Sequence, residues 1–221
     1  MITRIKPRAV LKAVREPIPA PVDVVNLITT ERFDRYRWYA LLVMPALTAV
    51  GGRVLWMARC DETLAGDRQA DKLLLVRYPS HRHFLAMTLN PYYFAINRLR
   101  EAGVRRFEAS FTLASHTGED LRRRRRLIGV HFSGELEEIL AAVPWELVYA
   151  TRSTGALGFL RDPRATDPHP LRHGRLALFE AAGDDTAPVA ARLGALGCAV
   201  SVYQREPRSE YRPVLRPARQ R

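Results

Sequence analysis

The chain has 221 residues, 47% hydrophobic and 26% charged, with two cysteines and a formal net charge of +12. That length suits one large domain or two small ones, and the composition excludes a disordered, collagen-like or disulfide-framework protein. Cys60 and Cys198 stand far apart and outside any CxxC motif, so neither structural zinc nor a thioredoxin-type pair is expected, and a reducing, cytoplasmic setting is. The longest uncharged stretch, Trp38 to Gly52, contains Pro45 and falls short of the roughly 20 residues a membrane helix needs. No secretory signal opens the chain, so no membrane partner is expected.

The basic charge is concentrated. Residues 1–21 and 207–221 each carry an excess of four positive charges, and the run Arg122 to Arg126 carries five more, leaving the rest close to neutral. Such tails can hold phosphates. However, arginine outnumbers lysine 32 to 3, which points to a GC-rich coding bias, and no aromatic residue interleaves the arginine run. Solvated arms are the favoured reading, and nucleic acid is not the expected partner.

Three prolines in residues 17–21 make an extended linker. Val22 to Ile28 is a β-branched run of strand length. Phe33, Tyr36, Leu41, Met44 and Leu47 recur at helical intervals until Gly51-Gly52. A strand is predicted over 53–60 and a turn-like stretch over 61–71, before the apolar run Lys72 to Tyr78, which suits a strand buried on both faces. Ser80 opens a short helix to Leu89, and Asn90-Pro91 opens the next, with Asn as cap and Pro at the first turn; Gly103 stops it. Residues 104–113 then alternate Phe107, Ala109, Phe111 and Leu113 with Arg106, Glu108, Ser110 and Thr112, which reads as a strand with one face in the core and one in solvent.

The order βαββαβ is the ferredoxin-like unit. It recurs more weakly: strands over 127–132, 145–152, 175–181 and 198–205, helices over 135–143 and 184–196, and a long connection from Ser153 to Gly174 that suits a lid or a mobile segment. A four-stranded sheet with both helices on one face leaves the other bare. The expected fold is therefore α+β: two ferredoxin-like βαββαβ units packed sheet to sheet as a pseudo-dimeric α/β barrel. The expected division is a basic arm at 1–21, a first unit at 22–115, an arginine-rich linker at 116–126, a second, degenerate unit at 127–206 and a basic tail at 207–221.

The first unit resembles the domain of unknown function 1330 family, of the dimeric α/β-barrel superfamily. The resemblance is carried by Val25-Asn26-Leu27, Tyr39, Gly51-Gly52-Arg53, Leu55-Trp56, Val76-Arg77-Tyr78-Pro79-Ser80, Phe84, Asn90-Pro91-Tyr92-Tyr93 and Arg100, and spans about residues 22–113. It implies a ferredoxin-like unit whose sheet packs against another. The superfamily includes cofactor-independent monooxygenases, haem-handling enzymes and lactone isomerases; the family itself implies no particular reaction.

Five residues are candidates for a ligand site. Tyr93 and Arg100 share a helix face with Ile96 and Asn97, and a guanidinium beside a phenol can grip a carboxylate or an enolate-like oxygen. The plainer alternative has Tyr93 packing on the sheet and Arg100 paired with an acid. Asn26 interrupts an apolar strand on the side of Val24 and Ile28 and must have a hydrogen-bond partner, backbone or ligand. His131 occupies the corresponding place in the second unit, so Asn26 and His131 are expected to meet in a cavity between the two sheets, with Trp56 as an aromatic wall. His81 with His83, and His169 with His173, lack a third metal ligand. No GxSxG, Walker or GxGxxG motif is present, and no cofactor is expected.

The leading expectation is a cytoplasmic protein that binds a small aromatic or carboxylate ligand, with a homodimer left open. The alternatives are a cofactor-independent monooxygenase or isomerase, in which His131 or Tyr93 exchanges a proton and Arg100 holds an oxyanion, and an interaction module using its arginine-rich tails on nucleic acid.

Overall fold

The structure, a computed structural model, describes residues 14–117, 121–156, 168–169, 171–181 and 186–207, together with Leu11 and Tyr211. Most of the two basic tails, and residues 157–167 and 170 of the long connection, lie outside the described residues.

The first half runs β1 (Val22–Thr30), α1 (Phe33–Ala49), β2 (Arg53–Ala65), β3 (Lys72–Tyr78), α2 (His81–Thr88), α3 (Pro91–Gly103) and β4 (Val104–Thr117). The second runs β5 (Arg126–Phe132), α4 (Leu136–Ala142), β6 (Glu146–Ala156), β7 (Pro168–His169), β8 (Arg175–Glu180), α5 (Ala187–Ala195) and β9 (Ala199–Arg205). Asn90 caps α3 as its position suggests, its side chain accepting from the Tyr92 amide at 2.8 Å. Pro45 inside α1 removes one helical hydrogen bond, and the Tyr92 hydroxyl donates to the nearby Leu42 carbonyl at 2.7 Å, tying α3 to α1.

The eight longer strands close into a ring in the order β4–β1–β3–β2–β9–β5–β8–β6 and back to β4, with β7 as a short parallel partner of β4. Each half has the same internal order: its fourth, first, third and second strands side by side. The halves join edge to edge through two antiparallel seams, β2 with β9 and β4 with β6. Ring closure leaves none of these eight strands with a long unpaired edge, the usual hazard of an open sheet.

Inside the ring, Val25, Leu27, Trp56, Leu73 and Leu75 of the first half meet Leu127, Tyr149, Leu176, Leu178 and Tyr203 of the second in one core. Helices cover the outside: Val22, Val24, Val76 and Phe111 pack under α1 and α2, and Ile128, Val130, Phe132 and Phe179 pack with α4 and α5. Gly129 faces the interior because a Cβ there would lie 2.5 Å from the Tyr203 ring.

The expectation for β4 needs correction. Its polar residues Glu108, Ser110 and Thr112 do not face solvent but are buried, because they share the face of their β1 partners Leu27, Val25 and Asp23, which turns into the ring interior. Ser110 bonds Ser153 across the seam, and Thr112 donates to the Asp23 carbonyl at 3.3 Å. Asp23 is itself buried in this interior, gripped by Arg77 through two bonds of 2.7 and 2.8 Å and by the Tyr149 hydroxyl of the second half at 2.9 Å. A strand can thus alternate polar and apolar residues and still have two buried faces when each polar group has a partner.

Gly103 ends α3, but its function is close approach. A Cβ there would lie 2.6 Å from the Tyr36 amide nitrogen, and the Gly103 carbonyl accepts from the Glu31 and Arg32 amides at 2.9 and 3.1 Å. The start of α1 is thereby fixed on the end of α3. Since backbone cannot yield cheaply, Gly103→Ala should destabilise the chain by about 1–3 kcal/mol. Urea denaturation of the purified variant measures this, and unchanged stability would show that the contact does not constrain the helices.

Candidate functional site

A cavity of about 680 Å³ lies in the first half, on the outer side of the sheet, between β1, β2 and β3 below and α1, α2 and α3 above. Its walls are mainly apolar and include Val24, Val54, Leu74 and Val76 from the strands and Val43, Leu47, Phe84 and Met87 from the helices. Four of the five candidate residues line it: Asn26, Trp56, Tyr93 and Arg100. The helix spacing that puts Tyr93 and Arg100 on one face turns both toward α1, and the strand period puts Asn26 in phase with Val24.

The fifth candidate is elsewhere. His131, 3% exposed, is in phase with Leu127 and Gly129, which face the ring interior, and it bonds the Tyr203 hydroxyl at 2.9 Å. Asn26 and His131 therefore stand on opposite faces of the barrel wall and do not meet. The space between the two half-sheets is not where the candidates gather, because side chains of both halves fill it. Trp56 also turns inward: a bulge between Val54 and Trp56 shifts the phase of β2, and its indole nitrogen donates to the Arg124 carbonyl at 3.1 Å.

Asn26 takes backbone partners, one of the two kinds its sequence position allows. It is 8% exposed, and its amide donates to the Val24 and Leu74 carbonyls at 3.1 Å each. Arg100, 6% exposed, donates through Nε to Asn97 Oδ1 at 2.7 Å and stacks 4.7 Å from the Phe107 ring. The hydroxyls of Tyr39 and Tyr93 are 3.3 Å apart.

Sequence reading missed Tyr36, Glu206 and Tyr211, which also line the cavity, and missed any site role for Tyr39. Burial, with Glu206 as the next contribution, raises the Tyr36 hydroxyl far above its ordinary range. Burial, then Tyr93, does the same to Tyr39. Both are therefore neutral hydrogen-bonding groups at any physiological pH. Glu206 is buried and bonds both the Lys72 ammonium and the Tyr211 hydroxyl, while Lys72 lies 4.3 Å from the Phe33 ring centre. Periodicity within 33–49 could have flagged Tyr36, but no local signal pairs Lys72 with a carboxylate 134 positions away.

Among the described residues no group of three or more His, Cys, Asp and Glu side chains comes together to hold a metal ion, and no helix is long and apolar enough to cross a membrane.

Strand order and helix placement define an α+β protein with ferredoxin-like halves joined in a closed eight-stranded sheet. Residues 24–109 match the model of a domain of unknown function, DUF1330, in agreement with the resemblance read over residues 22–113. No curated protein matches the chain. Similar solved structures include a protein of unknown function from Rhodopseudomonas palustris, 20% identical over 50% of this chain and 94% of its own, with a TM-score of 0.44. An anthrone oxidase-like protein is 11% identical over 86% and 92% (TM-score 0.46). A candidate monooxygenase from Lactobacillus acidophilus NCFM is 12% identical over 85% and 94% (TM-score 0.41). Similarity this distant carries no functional inference.

His131 generates a pH prediction. Burial, aided by His173, pulls its imidazole from 6.5 down to about 3. The unfolded chain therefore binds the extra proton first, and the contribution of neutral His131 is complete above about pH 6.5 and is lost as pH falls toward 3, by up to about 1.4 kcal/mol per pH unit. Urea midpoints measured from pH 7.5 to 4 should fall with acidification, and His131→Gln should flatten that fall. An equal slope in the variant would remove His131 as its source.

Proposed function

We propose that this is a cytoplasmic protein that binds a small organic molecule, aromatic or carboxylate, in the cavity between α1, α3 and the outer face of the first half-sheet. The observation that carries the reading is the convergence of Asn26, Tyr39, Tyr93 and Arg100 on one largely apolar cavity of about 680 Å³. A few polar groups placed in an apolar recess of that size are the usual form of a small-molecule site.

The architecture supports a further statement: the chain is a pseudo-dimer, its second half doing for the first what a partner subunit does for a free ferredoxin-like unit. The identical internal strand order and the two matching seams support this reading.

Binding is favoured over proton-transfer chemistry. A general acid or base works best with a pKa near the operating pH, whereas Tyr36 and Tyr39 are pushed far above it. His131, one of the two proton exchangers of the monooxygenase or isomerase alternative, is sealed in the barrel interior against Tyr203, while the other, Tyr93, lines the cavity. Phenols held neutral suit orientation of an oxygen-bearing ligand.

The test uses 1-anilinonaphthalene-8-sulfonate, an aromatic anion whose fluorescence rises in apolar surroundings. It should bind with one-to-one stoichiometry, and Ala40→Phe, which grows a ring from α1 into the cavity, should weaken it by roughly tenfold or more, about 1.4 kcal/mol. A folded Ala40→Phe variant that binds the dye as the parent does would end the proposal.

A further inference from the structure

Helix α1 has an apolar ridge without cover. Trp38, Leu41 and Pro45 follow one another at helical spacing and so share one line along the helix; all three are exposed, Trp38 by 40% and Leu41 by 41%. α3 packs on one flank of α1, where Tyr92 reaches the Leu42 carbonyl and the Tyr39 hydroxyl meets that of Tyr93. On the opposite flank Met44, 37% exposed, borders the mouth of the cavity. A tryptophan and two long aliphatic side chains exposed on one helix are a contiguous patch of the kind that marks an interaction surface.

The far side of that mouth is cationic. Arg53, Arg122 and Arg205 are exposed, line the cavity and have no ion-pair partner among the described residues. Arg53 opens β2 just after α1 ends. The β2–β9 seam brings Arg205 alongside β2, and its amide donates to the Arg125 carbonyl at 2.8 Å, which joins the end of β9 to the arginine run. Three stretches far apart in the sequence thus place arginines around one opening. Glu206, the one carboxylate on the cavity wall among the described residues, is buried against Lys72 and does not offset them.

We propose that this face rests on an anionic lipid bilayer, with Trp38, Leu41 and Met44 at the level of the headgroups and upper acyl chains and the arginines on lipid phosphates. Apolar side chains and arginines on one surface match the two layers of a membrane interface. A second copy of the chain would set arginines against arginines, in a molecule whose net charge is already +12. Nucleic acid would take the arginines but has no apolar layer for the ridge. The sequence leads to no expected membrane partner because it lacks a spanning run, but a helix lying in the interface needs no such run. This contact does not depend on what the cavity holds.

Trp38 reports on the contact directly, because the other two tryptophans, Trp56 and Trp145, are 2% and 9% exposed. Vesicles of phosphatidylcholine with roughly one-third phosphatidylglycerol, added to the full chain, should shift tryptophan emission to the blue and shield it from acrylamide, and Trp38→Phe should remove that shift. Affinity should be at least about tenfold lower for phosphatidylcholine alone, and should fall about fivefold on Arg53→Gln or Arg205→Gln and about tenfold on Leu41→Glu. Should a variant fail to fold, the Trp38 signal and the lipid preference of the parent chain decide alone. Absence of vesicle binding, or equal binding to phosphatidylcholine alone, would overturn the proposal. Sedimentation with anionic vesicles that leaves Trp38 emission and quenching unchanged would overturn it too, by assigning the binding to the basic tails. Trp38 shielded by duplex DNA and not by vesicles would replace the bilayer with nucleic acid, and a dimer that shields Trp38 without lipid would replace it with a second copy.

Discussion

A ferredoxin-like half has two structural debts: a sheet face without helices and two edges without partners. Here both are settled by the seams β2–β9 and β4–β6, which turn two four-stranded sheets into one closed ring. Much else depends on those seams. The Asp23 carboxylate can be buried because Arg77 is its cross-strand neighbour and Tyr149 reaches it from the other half. Ser110 can be buried because Ser153 faces it. Separating the halves would expose apolar side chains from both and leave these polar groups to water, so the interior core and the ring stand or fall together.

Closure also decides where a ligand site can be. A ring of eight strands has an interior about wide enough for side chains to fill, and Trp56, Tyr149 and Tyr203 take that space here. The large cavity lies instead under the helices, in the first half, where α1 and α3 have 17 and 13 residues against 7 and 9 for α4 and α5. Longer helices span more of the sheet and can bridge a gap that short ones would collapse into. The second half still takes part: the β2–β9 seam delivers Arg205 and Glu206, at the end of β9, to the same cavity.

The element order was legible in the sequence because hydrophobic period and Gly, Pro and Asn punctuation are local signals. Lys72 to Tyr78 is a strand with the bounds its apolar run implies, and Asn90-Pro91 starts α3 as capping chemistry requires. The need for a second half followed from the bare face. Facing was harder. Asn26 could be phased against Val24, but β5 is apolar on both sides around His131, so nothing local says which side is inside. The bulge at Val54–Trp56 likewise reverses a phase that simple alternation would keep. The polar side of β4 misled for a related reason: polarity marks solvent only when no second layer supplies partners. Lys72–Glu206 and Tyr211 illustrate the remaining limit, since contacts between the start of β3 and the end of the chain have no signature in either segment.

A cavity walled by Val43, Leu47, Val76 and Met87 forfeits dispersion contacts that a filled core would have, and an unfilled apolar volume is destabilising roughly in proportion to its size. Selection for stability alone would close it with larger side chains, yet Ala40 and Thr48 keep the α1 wall small where it borders the recess. The surrounding contacts act in the opposite sense to collapse: Gly103 locks the helix ends together, Tyr92 holds Leu42, and Tyr39 with Tyr93 bridges the two helices by their hydroxyls. These contacts tie both ends of α3 to the first ten residues of α1 and so oppose the sinking of that stretch onto the sheet. A molecule that binds only this folded form would return the missing contacts and stabilise the fold by mass action, which gives a physical reason for a chain to maintain an opening that its own packing does not fill.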